Sequence, residues 1–193
     1  ARAMNVLFTW LGLNTHLGVS NKLTDQVYKS IILASESSNP IVTFGKKGEK
    51  GSFQIRRFNN FLRHLPLTKT ESLSDKKVWK WNSDNPLELP TGTLSMQVAL
   101  GKGISTSLTK PGISIKGRAG GERCKPEGRS KSQKLKKLFQ EYGVPPWVRD
   151  RIPLVYVGDQ LAAVSDLWVC DEFVAKKDER GIVLSWTDSI DNQ

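Results

Sequence analysis

Two cysteines and two histidines are the smallest stock from which a zinc knuckle is built, and His16, His64, Cys124 and Cys170 supply that number. Their spacing rejects the chemistry. The four lie far apart in sequence, with no short Cys-Cys or His-His pairing, so no metal site is expected. A Cys-His nucleophilic pair fares no better, because Cys124 sits in a Lys/Arg-rich loop. That electropositive setting lowers a thiol's pKa and favours oxidation sensitivity over catalysis. Asp166, Asp171 and Glu172 cluster with no histidine near them in sequence, and surface solvation accounts for them better than general acid-base work. Gly101-Lys102-Gly103 and Gly117-Arg118-Ala119-Gly120-Gly121 lack the Walker ending and the strand-helix setting of a dinucleotide fingerprint. No catalytic residue is expected anywhere in the chain.

The residue types favour a different chemistry, the binding of a polyanion. Between Lys110 and Lys137 stand ten Lys or Arg against two Glu, so this segment holds +8 of the chain's net +10. Charge gathered in one patch steers polyanions. The patch lies on a Gly-rich loop that runs into a helix N-terminus, where backbone N–H groups and the helix dipole add to the attraction for phosphate. Gly120-Gly121 reads as a tight turn at positive φ, whose small residues also let a nucleic-acid backbone approach Arg118 and Arg123. A second basic cluster, Lys46, Lys47, Lys50, Arg56, Arg57 and Arg63, is interleaved with Phe53 and Phe58.

The elements that must position these residues follow from periodicity. Met4, Leu7, Phe8 and Leu11, then Leu23, Val27, Ile31 and Ala34, recur at helical spacing, the second set after the N-cap candidate Ser20. Ile41 to Phe44, Phe53 to Phe58 and Leu62 to Leu65 read as short strands forming a hairpin or meander. Residues 67–77 are Ser/Thr/Lys-rich without periodicity and read as a linker, which divides a small helical domain at 1–66 from a β-rich domain at 78–193. In the second domain strands are expected at Val78 to Trp81, Leu87 to Leu89, Thr93 to Leu100, Ile113 to Lys116, Leu154 to Val157, Leu161 to Val164, Leu167 to Val169 and Ile182 to Trp186. Its one main helix is expected over Ser130 to Tyr142, with Ser130 and Gln133 as a capping box, Leu135, Leu138, Phe139 and Tyr142 on the apolar face, and Gly143 as the stop. Trp79, Trp81, Trp168 and Trp186 fall on strands and suit the core. The fold class is α+β, a helical domain with a hairpin followed by a sheet carrying one packed helix.

A length of 193 residues with 38% hydrophobic content suits such a pair of domains, and a pI near 9.7 makes nucleic acid the leading partner. No apolar run approaches the roughly 18 residues that span a bilayer. Two cysteines are too few for a disulfide framework, which points to a reducing compartment and a cytoplasmic location. The first residue, Ala1, opens a helical pattern with no signal-peptide order, so the chain is expected to be a portion of a longer protein.

The run GRAGGERCKPEGRSKSQKLKKLFQEYGVPPWVRDRIPLVYVGDQLAAVSDLWV, residues 117–169, resembles the C-terminal domain of the tRNA(Ile)-lysidine synthetase family. The likeness lies in an Arg-x-Gly-Gly-x-Arg loop, a Lys-Leu-Lys-Lys-x-Phe helix, then Pro-Pro-Trp, Arg-Asp and Pro-Leu. Residues 1–66 resemble the family's middle domain more loosely, through a helical start and Phe53-Gln54-Ile55-Arg56-Arg57-Phe58. The resemblance implies a parent ligase that joins lysine to the wobble cytidine of the CAU-anticodon isoleucine tRNA at the expense of ATP, changing codon reading from AUG to AUA. ATP and lysine are then substrates of the parent, and no cofactor is expected in this portion. The family's Ser-Gly-Gly-x-Asp-Ser loop is not in the sequence, so the 193 residues are expected to recognise tRNA, at its acceptor stem, without forming lysidine. Carried over residue by residue, the contacts implied are Arg118, Arg123, Lys125, Arg129, Lys131, Lys134, Lys136, Lys137, Arg149 and Arg151, with Arg56 and Arg57 in the first domain. Strand alternation lets only one of Arg56 and Arg57 face outward.

Readings from other classes share part of this pattern. A general structured-RNA binder or ribosome-associated module would carry the same charge without preference among tRNAs. A module for dimerisation would persist as an oligomer, and a homodimer is open to the tRNA-binding reading as well.

Overall fold

The computed structural model describes residues 2–15, 19–35, 38–46, 49, 51–67, 72–73, 77–81 and 85–189. The chain divides into two compact units, 1–70 and 71–193. In the first, α1 (Arg2–Asn14) buries Leu7 and Leu11, four residues apart on one helical face. α2 (Asn21–Val27) starts where the sequence places its cap, with Ser20 Oγ accepting from Leu23 N at 3.2 Å. It continues as one π-helical stretch, Tyr28–Ile32, closed by Leu33 N donating to Tyr28 O at 3.1 Å. β1 (Ile41–Phe44), β2 (Phe53–Phe58) and β3 (Phe61–Pro66) form an antiparallel meander in that order. The β2-β3 turn is two residues, Asn59 and Asn60, both at positive φ (47° and 64°), the backbone that matches strand twist. Val27, Ile31, Val42, Phe53 and Ile55 join Leu7 and Leu11 in this unit's core.

The second unit opens with β4 (Val78–Trp81), β5 (Leu87–Leu89), β6 (Gly92–Leu100), β7 (Ile104–Ser105) and β8 (Ile113–Lys116). Next come β9 (Arg123–Cys124) and β10 (Gln133–Lys134), α3 (Leu135–Glu141) and α4 (Pro146–Arg149). β11 (Leu154–Val157), β12 (Gln160–Val164), β13 (Trp168–Val169) and β14 (Arg180–Asp188) complete it. These make a five-stranded sheet, order β13-β12-β11-β8-β4, a four-stranded sheet, order β5-β6-β14-β7, and a two-stranded ribbon, β10-β9, all antiparallel. The class is α+β. Ile115, Leu154, Val155, Ala163 and Val164 are fully buried, and Leu135, Leu138 and Phe139 of α3 enter the same core. Phe139 meets the Trp168 ring at 5.6 Å, which seats the helix against β13. Each of these large side chains contributes about 1.5–3 kcal/mol on burial, so α3 is held by its apolar face rather than by propensity.

Two expectations change here. The main helix starts at Leu135, and no Ser130–Gln133 capping box forms. Gln133 and Lys134 extend instead to pair with Cys124 and Arg123, and Leu135 N is satisfied by Glu122 O at 2.9 Å. Gly143 does stand past the helix end at φ 67°. The second change lies in the expected linker. Leu73 is buried in the core of the second unit and donates its N–H to Asp150 O at 3.0 Å, while Gly117 leaves room for the Leu73 backbone to pass.

Candidate nucleic-acid interface

The basic segment folds as a clamp around its own loop. β9 and β10 carry the ribbon, α3 continues straight from it, and Cys124 and Cys170 are joined by a disulfide with Cα atoms 5.6 Å apart. This corrects the reading of the two cysteines as unpaired thiols: a strand edge and the end of β13, 46 residues apart, are brought side by side by the sheet. Around the disulfide, Asp171 N donates to Lys125 O at 2.7 Å, Glu127 N to Val169 O at 3.2 Å, and Pro126 bridges Cys170. Lys125 Nζ pairs with Asp171 at 2.7 Å and, by hydrogen bonding, holds that carboxyl below its ordinary range. Asp171, expected as plain solvated surface, therefore anchors the loop.

The arginines are spent on the fold. Arg118 lies over the Phe139 ring at 5.5 Å and pairs with Asp150 at 3.0 Å. Arg129 pairs with Glu141 at 2.6 Å and lies 5.5 Å over Tyr142. The hydrogen bond to Glu141 raises its pKa further. Arg123 remains exposed while donating to Ser132 O at 2.8 Å across the ribbon. Arg149 is buried and donates to Val144 O at 2.9 Å, its pKa lowered by burial first and by the nearby Arg118 charge second. Arg151, 3% exposed, pairs with Asp188, and also donates to Thr91 O at 3.1 Å and Ser189 Oγ at 3.0 Å. Arg149 and Arg151, both named as RNA contacts by the resemblance, are thus buried and engaged within the unit.

In the first unit the alternation expected for Arg56 and Arg57 resolves by side. Arg57 follows Phe53 and Ile55 on the buried face of β2 and donates to Ile32 O, Ala34 O and Ser35 O at 2.8, 2.6 and 2.9 Å, closing the helix end. Arg56 bonds Gln54 Oε1 at 2.9 and 2.7 Å on the other face. Lys47 and Lys50 of the second basic cluster lie outside the described residues.

What stays open is lysine. Lys131, Lys134 and Lys136 are exposed on the ribbon turn, at the ribbon end and on the first turn of α3, and none forms an ion pair among the described residues. Lys137 joins them at 67% exposure with only a 3.8 Å surface pair to Glu141. Four ammonium groups within seven residues thus face solvent around one helix start. The residues that sequence reasoning missed are their acidic counterparts. Glu122 Oε1 accepts from Ala119 N at 2.6 Å and Gly120 N at 2.9 Å, and Asp150, Glu141 and Asp171 hold the arginines and Lys125. A carboxylate directly behind two glycines was the signal available for the first. The others come together only in three dimensions.

Residues 113–186 match the family model described as the TilS substrate C-terminal domain. Similarity extends well beyond that segment. A tRNA(Ile)-lysidine synthase of Coxiella burnetii is 34% identical over 93% of this chain and 39% of its own length, and one of Legionella pneumophila strain Paris is 37% identical over 89% and 38%. One of Escherichia coli O157:H7 is 32% identical over 96% and 41%. A crystal structure of a TilS C-terminal domain covers 58% of this chain and 97% of that one, at 22% identity and a TM-score of 0.47. The chain belongs to the tRNA(Ile)-lysidine synthase family, and it spans about two fifths of the length of the curated relatives it matches.

Proposed function

We propose that this chain is the tRNA-gripping portion of a cytoplasmic tRNA(Ile)-lysidine synthase. Its parent is a ligase that uses ATP to join lysine to the wobble cytidine of the CAU-anticodon isoleucine tRNA. The observation that carries the reading is the group of exposed ammonium groups at Lys131, Lys134, Lys136 and Lys137 around one ribbon-helix junction. An A-form stem hides its bases in a deep major groove, so contact is made to phosphates, 2′-hydroxyls and stem-end base edges. Flexible point charges suit phosphates along such a stem. A methionine tRNA sharing the CAU anticodon must be refused by contacts away from the anticodon, and the acceptor stem is where this portion makes them.

The test is binding of the chain to isoleucine tRNA with a CAU anticodon and to elongator methionine tRNA over a range of salt. Log K falls with log salt for both if phosphates dominate. A preference of about tenfold or more for the isoleucine tRNA, about 1.4 kcal/mol, assigns identity recognition to this portion. Equal affinities contradict that assignment and reduce the role to electrostatic grip. Sedimentation of the free chain checks the homodimer.

A further inference from the structure

The loop Arg118 to Glu122 binds an anion already, and the anion is its own side chain. Two successive backbone N–H groups, Ala119 and Gly120, converge on Glu122 Oε1 at 2.6 and 2.9 Å. Such a concavity of consecutive amides is an anion-binding device. The carboxylate fits it incompletely. Its second oxygen, Oε2, is buried with no hydrogen-bond partner, and Arg118 Nε, also buried, has none either, because the two are 4.0 Å apart. A buried donor and a buried acceptor are thus left facing each other out of hydrogen-bond reach. The rim is open, since Ala119, Gly120 and Gly121 are exposed and a side-chain atom built on either glycine would meet nothing within 4 Å. Gly120 and Gly121 hold φ values of 95° and 91°, which keep bulk away from the approach.

Resting on the tRNA-binding reading above, we propose that this nest is a site for a phosphate group of bound RNA and that Glu122 is an internal stand-in which the phosphate displaces. A tetrahedral phosphate presents an oxygen outside the plane that a carboxylate offers, so it can keep both amides and also satisfy Arg118 Nε. Displacement frees Arg118 from one of its two acidic neighbours and leaves it with Asp150 alone. The loop then discriminates by charge density: an anion too weak to evict Glu122 meets a neutralised surface.

Three variants test this in the chain as it stands. Glu122→Ala empties the nest. Glu122→Gln keeps an acceptor oxygen on the amides without the charge. Glu127→Ala removes an exposed glutamate of the same segment as a control for bulk charge. The expected result is tighter tRNA binding by Glu122→Ala than by Glu127→Ala, because the phosphate no longer has a carboxylate to displace from the two amides. Glu122→Gln moves in the same direction by less and stands in if Glu122→Ala does not fold. The backbone amide resonances of Ala119 and Gly120 in Glu122→Ala are expected to shift with inorganic phosphate and, in the wild type, only with tRNA. A gain no greater than that of Glu127→Ala, or amides that stay still while the wild type binds tRNA, overturns the nest and leaves the tRNA reading intact. A wild type that binds no tRNA, with amides still moved by phosphate, overturns the RNA as the source and leaves a phosphate site.

Discussion

Arg56 and Arg57 on β2 and the bases of the ribbon-helix junction are equivalent candidates by sequence, basic residues set among aromatic or glycine neighbours. In the first unit the strand's alternation sends Arg57 toward the helix end, where three carbonyls take up its fork, and Arg56 onto Gln54. At the junction the arginines are likewise engaged, by Asp150, Ser132 O and Glu141, while Lys131, Lys134 and Lys136 are left to solvent. The difference follows from the side chains. A planar fork with five donors matches carboxylates and convergent carbonyls, whereas an ammonium on a flexible stem stays hydrated and available. Arginine here braces and lysine stays open to solvent, so a count of positive charge alone does not tell which cations are available.

The comparison is broken most forcefully at its braces. Arg151→Ala removes the guanidinium paired with the buried Asp188 and is expected to cost about 3–5 kcal/mol in the second unit, read as a shift of the denaturant midpoint at unchanged slope. Cys124→Ser removes a link closing 46 residues and is expected to cost about 2–4 kcal/mol under oxidising conditions. With reductant present, wild type and variant should converge. Arg57→Ala uncaps three carbonyls of the first unit, a loss of about 2 kcal/mol in that unit's unfolding, with the tRNA salt slope unchanged. The smallest effect is at Asp171. Its carboxyl is held below its ordinary value by Lys125, so its contribution is present above the ordinary carboxylate pKa and lost as pH falls through the lowered folded value. Asp171→Asn should lower stability slightly at neutral pH and leave the acid end unchanged, so that this acid limb of a pH–stability curve flattens.

Most strands were legible because period-two alternation and Gly or Pro punctuation are local: β1, β2, β4, β5, β8 and β11 occupy the residues the pattern predicts. The helix start was misread because Gln133 can serve a capping box or a strand pair, and the partner that decides, Cys124, is brought opposite only by the return of the loop between them. The two-asparagine turn was missed, since Asn-Asn is a weaker hairpin signal than Asn-Gly. For the candidate site, the sequence shows where the basic residues lie but not which of them acidic partners engage. Arg149 and Arg151 look like contact residues in a run of basic letters, and nothing local reveals that Val144 O and Asp188 await them.

The central claim, that open lysines grip the RNA and arginines hold the frame, is tested by tRNA binding against salt for two variants. In Lys131→Gln/Lys134→Gln/Lys136→Gln the slope of log K on log salt should fall by about 0.9 for each phosphate no longer neutralised, with the melting temperature unchanged. In Arg56→Gln/Arg57→Gln the slope should stay at the wild-type value while the first unit melts earlier. A triple variant that keeps the wild-type slope, with the arginine pair losing it at unchanged stability, would contradict the account.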